Sequence, residues 1–300
     1  MKVTVVSGKD GARREEIELS AQPTLAELRS AYRPKVDVNR KTFKIATGGN
    51  DEKGRPKLAT LDTKRSLADQ GVKNGAELVY KDLGPQIGYR TVFVLEYAGP
   101  IAFILLYAAR PSFLYGSAAT AGYCYAQKLF ITLFTAHFMK RELETFFVHK
   151  FSRPTMPFQN IFKNCTYYWT FAAFIGYVLC HPDYTAPSAL ATNIGAVVMV
   201  ISEILNFAVH MQLSSMRKGD GDEARNTPAG PLFALVSCPN YLFEVLSWVG
   251  FSVGTSMFSA WFFTCMGLLQ MTIWAQKKHA GYCKADAANK KKKAIIPFVI

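Results

Sequence analysis

Apolar and polar positions follow two rhythms along this chain, and the change comes near residue 90. Before it the apolar runs are short. Residues 1–6 and 15–19 alternate as strands, and Gly8, Asp10 and Gly11 supply turn chemistry between them, which predicts a hairpin. Thr24 with Glu27 three positions on reads as a capping box, and Leu25, Leu28 and Tyr32 give the helix an apolar face. Pro34 stops it. Further strands are expected at 42–46, 57–61 and 77–81, with a helical turn at 66–70. After Arg90 the runs lengthen to the ~20 residues that cross ~30 Å of hydrocarbon. Spans are expected at 91–109, 117–138, 163–180, 189–213, 231–253 and 255–276, the fifth being unusually rich in proline and polar residues.

The order β-β-α-β-β-turn-β resembles the ubiquitin-like fold. The predicted architecture is therefore a multi-span α-helical membrane protein of about six transmembrane helices with an N-terminal α+β ubiquitin-like domain. Residues 1–82 form that cytosolic domain, 83–90 a linker around Leu83-Gly84-Pro85, and 91–300 the transmembrane domain. Gly48-Gly49 lies inside the head, so conjugation through a terminal diglycine is not expected. A docking module for a partner enzyme and a solubilising cap both fit.

Charge supports the two-solvent picture. Residues 1–90 hold 18 Lys+Arg and 12 Asp+Glu, leaving 17 and 10 for the other 210 residues. The net charge of +13 raises nucleic acid as a partner. Basic loops beside apolar spans instead match the positive-inside rule and an anionic leaflet, and no basic-aromatic nucleic-acid module is visible. An even span count with this Lys/Arg bias puts both termini in the cytosol. The six cysteines are scattered without a C-x-x-C pair, which supports neither a disulfide framework nor a zinc site. Residues 1–6 are too short an apolar run for a signal peptide.

Polar residues inside the apolar spans are the candidate chemistry, because they are expensive there and by default face a bundle interior or a wet cavity. Asn240, Glu244 and Ser247 fall at i, i+4 and i+7, one helical face, with Tyr241 one step round. Glu203, Asn206 and His210 form a second stripe at i, i+3 and i+7. His137, Arg141 and Glu144 share a third face, with Lys140 beside it; such a cluster suits either a solvated juxtamembrane surface or an anionic nucleotide. Glu96 stands alone in the first span, where snorkelling and interior placement both fit. The lysines at 277–278 and 290–293 suit lipid headgroups or a dinucleotide phosphate. No G-x-G-x-x-G is present, so no Rossmann site is expected, and five dispersed histidines argue against a di-iron enzyme.

Val236-Ser-Cys-Pro-Asn-Tyr-Leu-Phe-Glu closely resembles the steroid 5-alpha-reductase superfamily, and within it the very-long-chain trans-2-enoyl-CoA reductases. Lys140-Arg-Glu-Leu-Glu-Thr-Phe-Phe-Val-His-Lys-Phe-Ser, Ile161-Phe-Lys-Asn-Cys-Thr-Tyr-Tyr-Trp, Gln270-Met-Thr-Ile-Trp-Ala and Lys293-Ala-Ile-Ile-Pro-Phe agree with that branch, as does the ubiquitin-like head. The resemblance implies an NADPH-dependent oxidoreductase of the endoplasmic reticulum membrane. It would catalyse the last step of fatty-acid elongation, which feeds very-long-chain and sphingolipid synthesis, beside the other elongation enzymes. The substrate is a long-chain enoyl-CoA; hydride goes to C3 and a proton to C2. By the same resemblance Tyr241 and Lys140 are catalytic and Glu96 faces substrate. Arg141, Asn206, His210, Asn240 and Glu244 bind the cofactor, and no metal is implied. Around Lys278-His-Ala-Gly-Tyr-Cys-Lys the chain departs from its relatives, so Lys278 or Tyr282 would stand in for a phosphate-binding arginine. Competing expectations are a steroid or polyprenol enone reductase, a membrane methyltransferase using S-adenosylmethionine, and a non-catalytic elongation scaffold.

Overall fold

The short apolar runs of the N-terminal region close a five-stranded sheet over one helix. A computed structural model describes residues 1–8, 12–50, 54–63, 65–220 and 227–300. The expected turn residues Asp10 and Gly11, and part of the charged loop at 217–228, lie outside the described residues. The chain divides into two compact units, Met1–Ile87 with Thr155–Phe158, and Gly88–Pro154 with Gln159–Ile300.

In the first unit, β1 (Lys2–Ser7), β2 (Arg13–Glu18), α1 (Leu25–Ala31), β3 (Lys41–Asn50), β4 (Pro56–Thr60) and β5 (Ala76–Asp82) follow the expected order. The sheet runs β2-β1-β5-β3-β4. β1 and β2 pair antiparallel as the expected hairpin, while β1 and β5 run parallel with Val3 opposite Ala76. Alternation puts Val3, Val5, Phe43 and Leu78 on the buried face, where they meet Leu25, Leu28 and Tyr32. The capping box is half made. Thr24 accepts from the Glu27 backbone N–H at 3.3 Å, but the Glu27 carboxylate accepts from Ser20 N and Oγ, at 2.7 and 2.8 Å, instead of reaching back to Thr24. Its folded carboxyl sits below the usual range because of those bonds. The far end of α1 is closed by Lys41, fully buried, whose Nζ donates to the Arg29 and Tyr32 carbonyls at 2.6 and 2.7 Å. A cation at the last helical carbonyls also meets the negative end of the dipole.

Two short strands, β6 (Gln86–Gly88) and β7 (Thr155–Pro157), pair with each other. The long elements of the second unit are helices: α2 (Tyr89–Ala108), α3 (Ser112–Tyr115), α4 (Tyr125–Phe147), α5 (Gln159–Cys180), α6 (Ala189–Ser215), α7 (Pro231–Leu235), α8 (Pro239–Thr255) and α9 (Phe258–Ala285). Among the described residues α2, α6 and α9 are long and apolar enough to cross a membrane.

Two expected spans are corrected. The second begins at Tyr125 rather than 117, because Cys124 and Gln127 form a capping box there and residues 116–120 are a separate 3-10 turn. The fifth is two helices, α7 and α8, rather than one. Between them the Ser237 and Cys238 N–H groups donate to the Lys293 and Ala294 carbonyls at 2.8 and 3.0 Å. Pro239, with no N–H to give, opens the next helix instead.

Small residues set how close α6 and α8 come. A Cβ at Gly195 would lie 2.5 Å from the Gly250 carbonyl oxygen and the Gly254 nitrogen. Small residues four apart allow backbones to approach this way in membrane bundles. The approach brings the polar stripe of α6 against that of α8. Beyond it the interior is packed with rings: Phe134, Phe138, Trp248, Phe251 and Phe263 form one continuous cluster.

Candidate functional site

Each polar stripe predicted from spacing lies on one helix, and the three helices turn their stripes toward one another. α6 contributes Glu203, Asn206 and His210, of which Asn206 is 1% exposed. α4 contributes His137, Lys140, Arg141 and Glu144; α8 contributes Asn240, Glu244 and the fully buried Ser247.

Glu203 is the hub. Its carboxylate lies 2.7 Å from His137 Nδ1 and 2.6 Å from Lys140 Nζ, and it accepts from the Ser247 hydroxyl. Lys140 also donates to Asn206 Oδ1 at 2.7 Å, and Asn206 Nδ2 donates to the Asn240 carbonyl at 2.9 Å. One buried amide thus ties α4 to α8. Glu244 accepts from Trp248 Nε1 at 3.1 Å and lies 3.5 Å from His137 Nε2. His137 therefore bridges two carboxylates.

A second centre forms one turn along α4. Arg141 pairs with Glu144, lies 3.2 Å from His210 Nδ1, and donates to Tyr97 Oη at 2.9 Å. His210 Nδ1 in turn is 3.0 Å from Glu144 Oε1. The His149 ring stacks edge-on at 5.1 Å from that of His210. Burial, aided by Arg141, pushes His149 down to about 3, so it is neutral at physiological pH. Glu144, His149 and His210 hold ligand atoms within 4.8 Å of one another. The Arg141 guanidinium bonds two of the three and supplies the positive charge a metal would bring.

The remaining site residues take different places. Glu96 is 3% exposed and accepts from Asn164 Nδ2 at 2.8 Å, so it faces the bundle rather than snorkelling. Tyr241 sits one step round α8 from Asn240 and meets α9. Its ring lies 6.1 Å from that of Trp274 and 4.7 Å from Lys278 Nζ, both on α9. Among the described residues no hydrogen bond or ion pair joins Tyr241 to Lys140. The structure thus gathers Lys140, Arg141, Asn206, His210, Asn240 and Glu244, brings Glu96 to their edge through Tyr97, and places Tyr241 and Lys278 against α9.

Sequence reasoning passed over Tyr97 and Trp248, which hold Arg141 and Glu244. Both are aromatic residues in apolar helices, and only their partners reveal a polar use.

Chemically, the cluster is nearly charge-matched. Its cations lie on carboxylates, and its spare acceptor and amide capacity suits hydroxyls and carboxamides better than phosphates. Lys277, Lys284, Lys290, Lys291 and Lys293 in the C-terminal part are exposed.

Comparison with known proteins agrees with the motifs. Residues 154–300 match the family model described as 3-oxo-5-alpha-steroid 4-dehydrogenase. The chain is 62% identical to a Trypanosoma brucei brucei protein named for enoyl-CoA reduction, over the whole of both chains. It is 36% identical to the very-long-chain enoyl-CoA reductase of Dictyostelium discoideum, covering 99% of each. It is 34% identical to a human trans-2,3-enoyl-CoA reductase-like protein, over 83% of this chain and 70% of that one. End-to-end similarity of this depth, with the motif residues gathered on α4, α6 and α8, places the chain in the enoyl-CoA reductase family, within the steroid 5-alpha-reductase superfamily.

Proposed function

We propose that the protein reduces very-long-chain trans-2-enoyl-CoA to the saturated acyl-CoA with NADPH, the closing step of a fatty-acid elongation cycle. The observation that carries the reading is the three-helix polar cluster, built at a cost in stability that a purely structural bundle has no reason to bear. NADPH, when bound, supplies the hydride that C3 of the substrate receives.

The protein's own residues do the rest. Asn206, His210, Asn240 and Glu244 hold the polar end of the nucleotide, with Lys140 and Arg141 orienting the carboxylates around it. Hydride arrival at C3 pushes charge onto the thioester oxygen. Donors fixed beforehand in a water-poor site stabilise such charge more than water does. Glu96, sealed between α2 and α5, faces the substrate side. Tyr241 gives the proton to C2, a role for which a positioned phenol is suited.

The wider reading follows the same line. The six long helices α2, α4, α5, α6, α8 and α9 are taken as the membrane body, approximately residues 91–300. Residues 1–82 are taken as a ubiquitin-like cytosolic head that meets other elongation enzymes. Both termini then face the cytosol of the endoplasmic reticulum membrane, where acyl-CoA and NADPH are available.

The test is NADPH oxidation by the purified, detergent-solubilised chain on addition of a long-chain trans-2-enoyl-CoA. Turnover with enoyl-CoA, and none with a steroid enone, is expected. Reduction of the steroid enone alone would overturn the substrate assignment.

A further inference from the structure

Two lysines compete for the role of the cation that serves Tyr241, and the structure treats them differently. Lys140 is committed: Glu203 lies 2.6 Å away, Asn206 2.7 Å and Glu144 3.8 Å. Lys278 has no acidic partner among the described residues, and its ammonium lies 4.7 Å from the centroid of the Tyr241 ring. Trp274 and Lys278 are four apart on α9, one turn, so the phenol meets both an aromatic ring and a cation from the same helix.

The surroundings fix this register. His279 Nδ1 lies 2.8 Å from Ser237 Oγ, which locks the residue after Lys278 to the segment just before α8. That segment is itself pinned, since the Ser237 and Cys238 N–H groups donate to the Lys293 and Ala294 carbonyls. Cys238, Val245, Ala275 and Ile295 then pack around Tyr241 as an apolar collar. The other ionisable groups near the lysine are Cys238 and Tyr282, with Arg217 acting on Tyr282. None is a carboxylate, so the lysine's charge is directed at the phenol.

We infer that Lys278, rather than Lys140, is the residue that stabilises the tyrosinate formed when Tyr241 delivers its proton, acting as a positioning residue for the reductase chemistry proposed above. In that step the Tyr241 O–H bond breaks and a C–H bond forms at C2 of the substrate enolate. The electron pair stays on the phenolic oxygen, beside the ammonium, until water returns a proton. A cation costs nothing in reorganisation when it is already in place. Part of the Lys278 side chain is exposed and Tyr241 is half-buried, so the site is not sealed against the water that returns the proton. Phosphate binding is left to the exposed lysines at 277, 284, 290, 291 and 293.

The experiment compares Lys278→Met, Lys278→Arg, Tyr241→Phe and the Lys278→Met/Tyr241→Phe pair in the full-length, detergent-purified chain. It uses single-turnover and steady-state kinetics with a long-chain trans-2-enoyl-CoA. Lys278→Met is expected to lower kcat roughly 10- to 100-fold, the scale of a weakened general acid, with KM for NADPH and directly titrated NADPH affinity within about twofold. Its solvent deuterium isotope effect should rise, and Lys278→Arg should restore most of the rate. In the Tyr241→Phe background the same change should cost less than about threefold, since a cation that acts only through the phenol has nothing left to serve. A rise in KM for NADPH with kcat unchanged would make Lys278 a phosphate ligand and overturn the inference. So would an equal loss in both backgrounds. Wild-type turnover in the same assay reads the proposed function separately: its absence defeats that function, whereas normal turnover with additive variants defeats only the assignment of Lys278.

Discussion

Lys41 in one unit and Lys140 in the other are both withdrawn from water, and they meet different partners. Lys41 in the head is fully buried and donates to two backbone carbonyls at the end of α1. Lys140 in the helical unit meets the Glu203 carboxylate and the Asn206 side chain, and both of those have further partners on other helices. The first arrangement finishes an element of secondary structure, since a helix end has carbonyls to satisfy whatever the protein does. The second serves no element. Each helix of the bundle already satisfies its own backbone, so its side-chain polar groups answer to one another and to whatever enters between them. Burying a lysine is thus informative about function only when its partners are side chains from distant segments.

The comparison breaks most severely at Glu203. Glu203→Ala removes the acceptor shared by His137, Lys140 and Ser247 and leaves Lys140 only the more distant Glu144, a loss approaching the roughly 3–5 kcal/mol of a broken buried pair. Purified Glu203→Ala is expected to lose its monodisperse gel-filtration peak and all turnover, while Glu203→Gln, which still accepts from Ser247, keeps the fold and loses activity. Full activity in Glu203→Ala would mean that the cluster is not needed.

The head offers the smaller effect. Lys41→Met leaves the Arg29 and Tyr32 carbonyls without their donor, which costs about 1–3 kcal/mol. Hydrogen exchange of the full chain should show faster exchange in peptides of α1 and β3. Turnover by the bundle should stay within about twofold.

pH gives the same residue a finer signature. Burial lowers the folded pKa of Lys41 below its ordinary 10.5. Between the folded value and 10.5 the unfolded chain binds more protons, so stability of the head rises as pH climbs through that window. Lys41→Met should abolish that alkaline gain, read as the pH dependence of exchange in the same peptides. A gain that persists in the variant would assign it to another group.

Much of this was legible in the sequence, and the exceptions share a cause. The strand order of the head, the helix behind Thr24 and the stripes on α6 and α8 follow from periodicity, which is a one-dimensional property. The partner of Glu27 and the break between α7 and α8 depend on segments far away in the chain. Ser20 drew the Glu27 carboxylate away from its expected cap. The 236–238 stretch left the helix because the carbonyls of 293–294 were there to take its N–H groups.

At the candidate site, spacing identified which residues share a face but not which faces meet. Glu96 could snorkel or turn inward by sequence; Asn164, 68 residues away, decides for the interior. Tyr241 sits one step round from Asn240, and that single step sends it to α9 and Lys278 instead of α6 and Lys140. Tyr97 carries no sequence signal at all, because an aromatic in an apolar helix reads as packing until Arg141 is found on its hydroxyl.

The central claim is that the polar cluster joining α4, α6 and α8 holds the nucleotide. NADPH fluorescence titration of the purified wild-type chain and of Asn206→Leu tests it most directly, because Asn206 touches both Lys140 and the Asn240 carbonyl. The account predicts NADPH affinity at least about tenfold weaker in Asn206→Leu, the scale of one lost hydrogen bond to a charged group, in a variant that still elutes as a folded species. Unchanged affinity in that folded variant would contradict the account and move the nucleotide elsewhere.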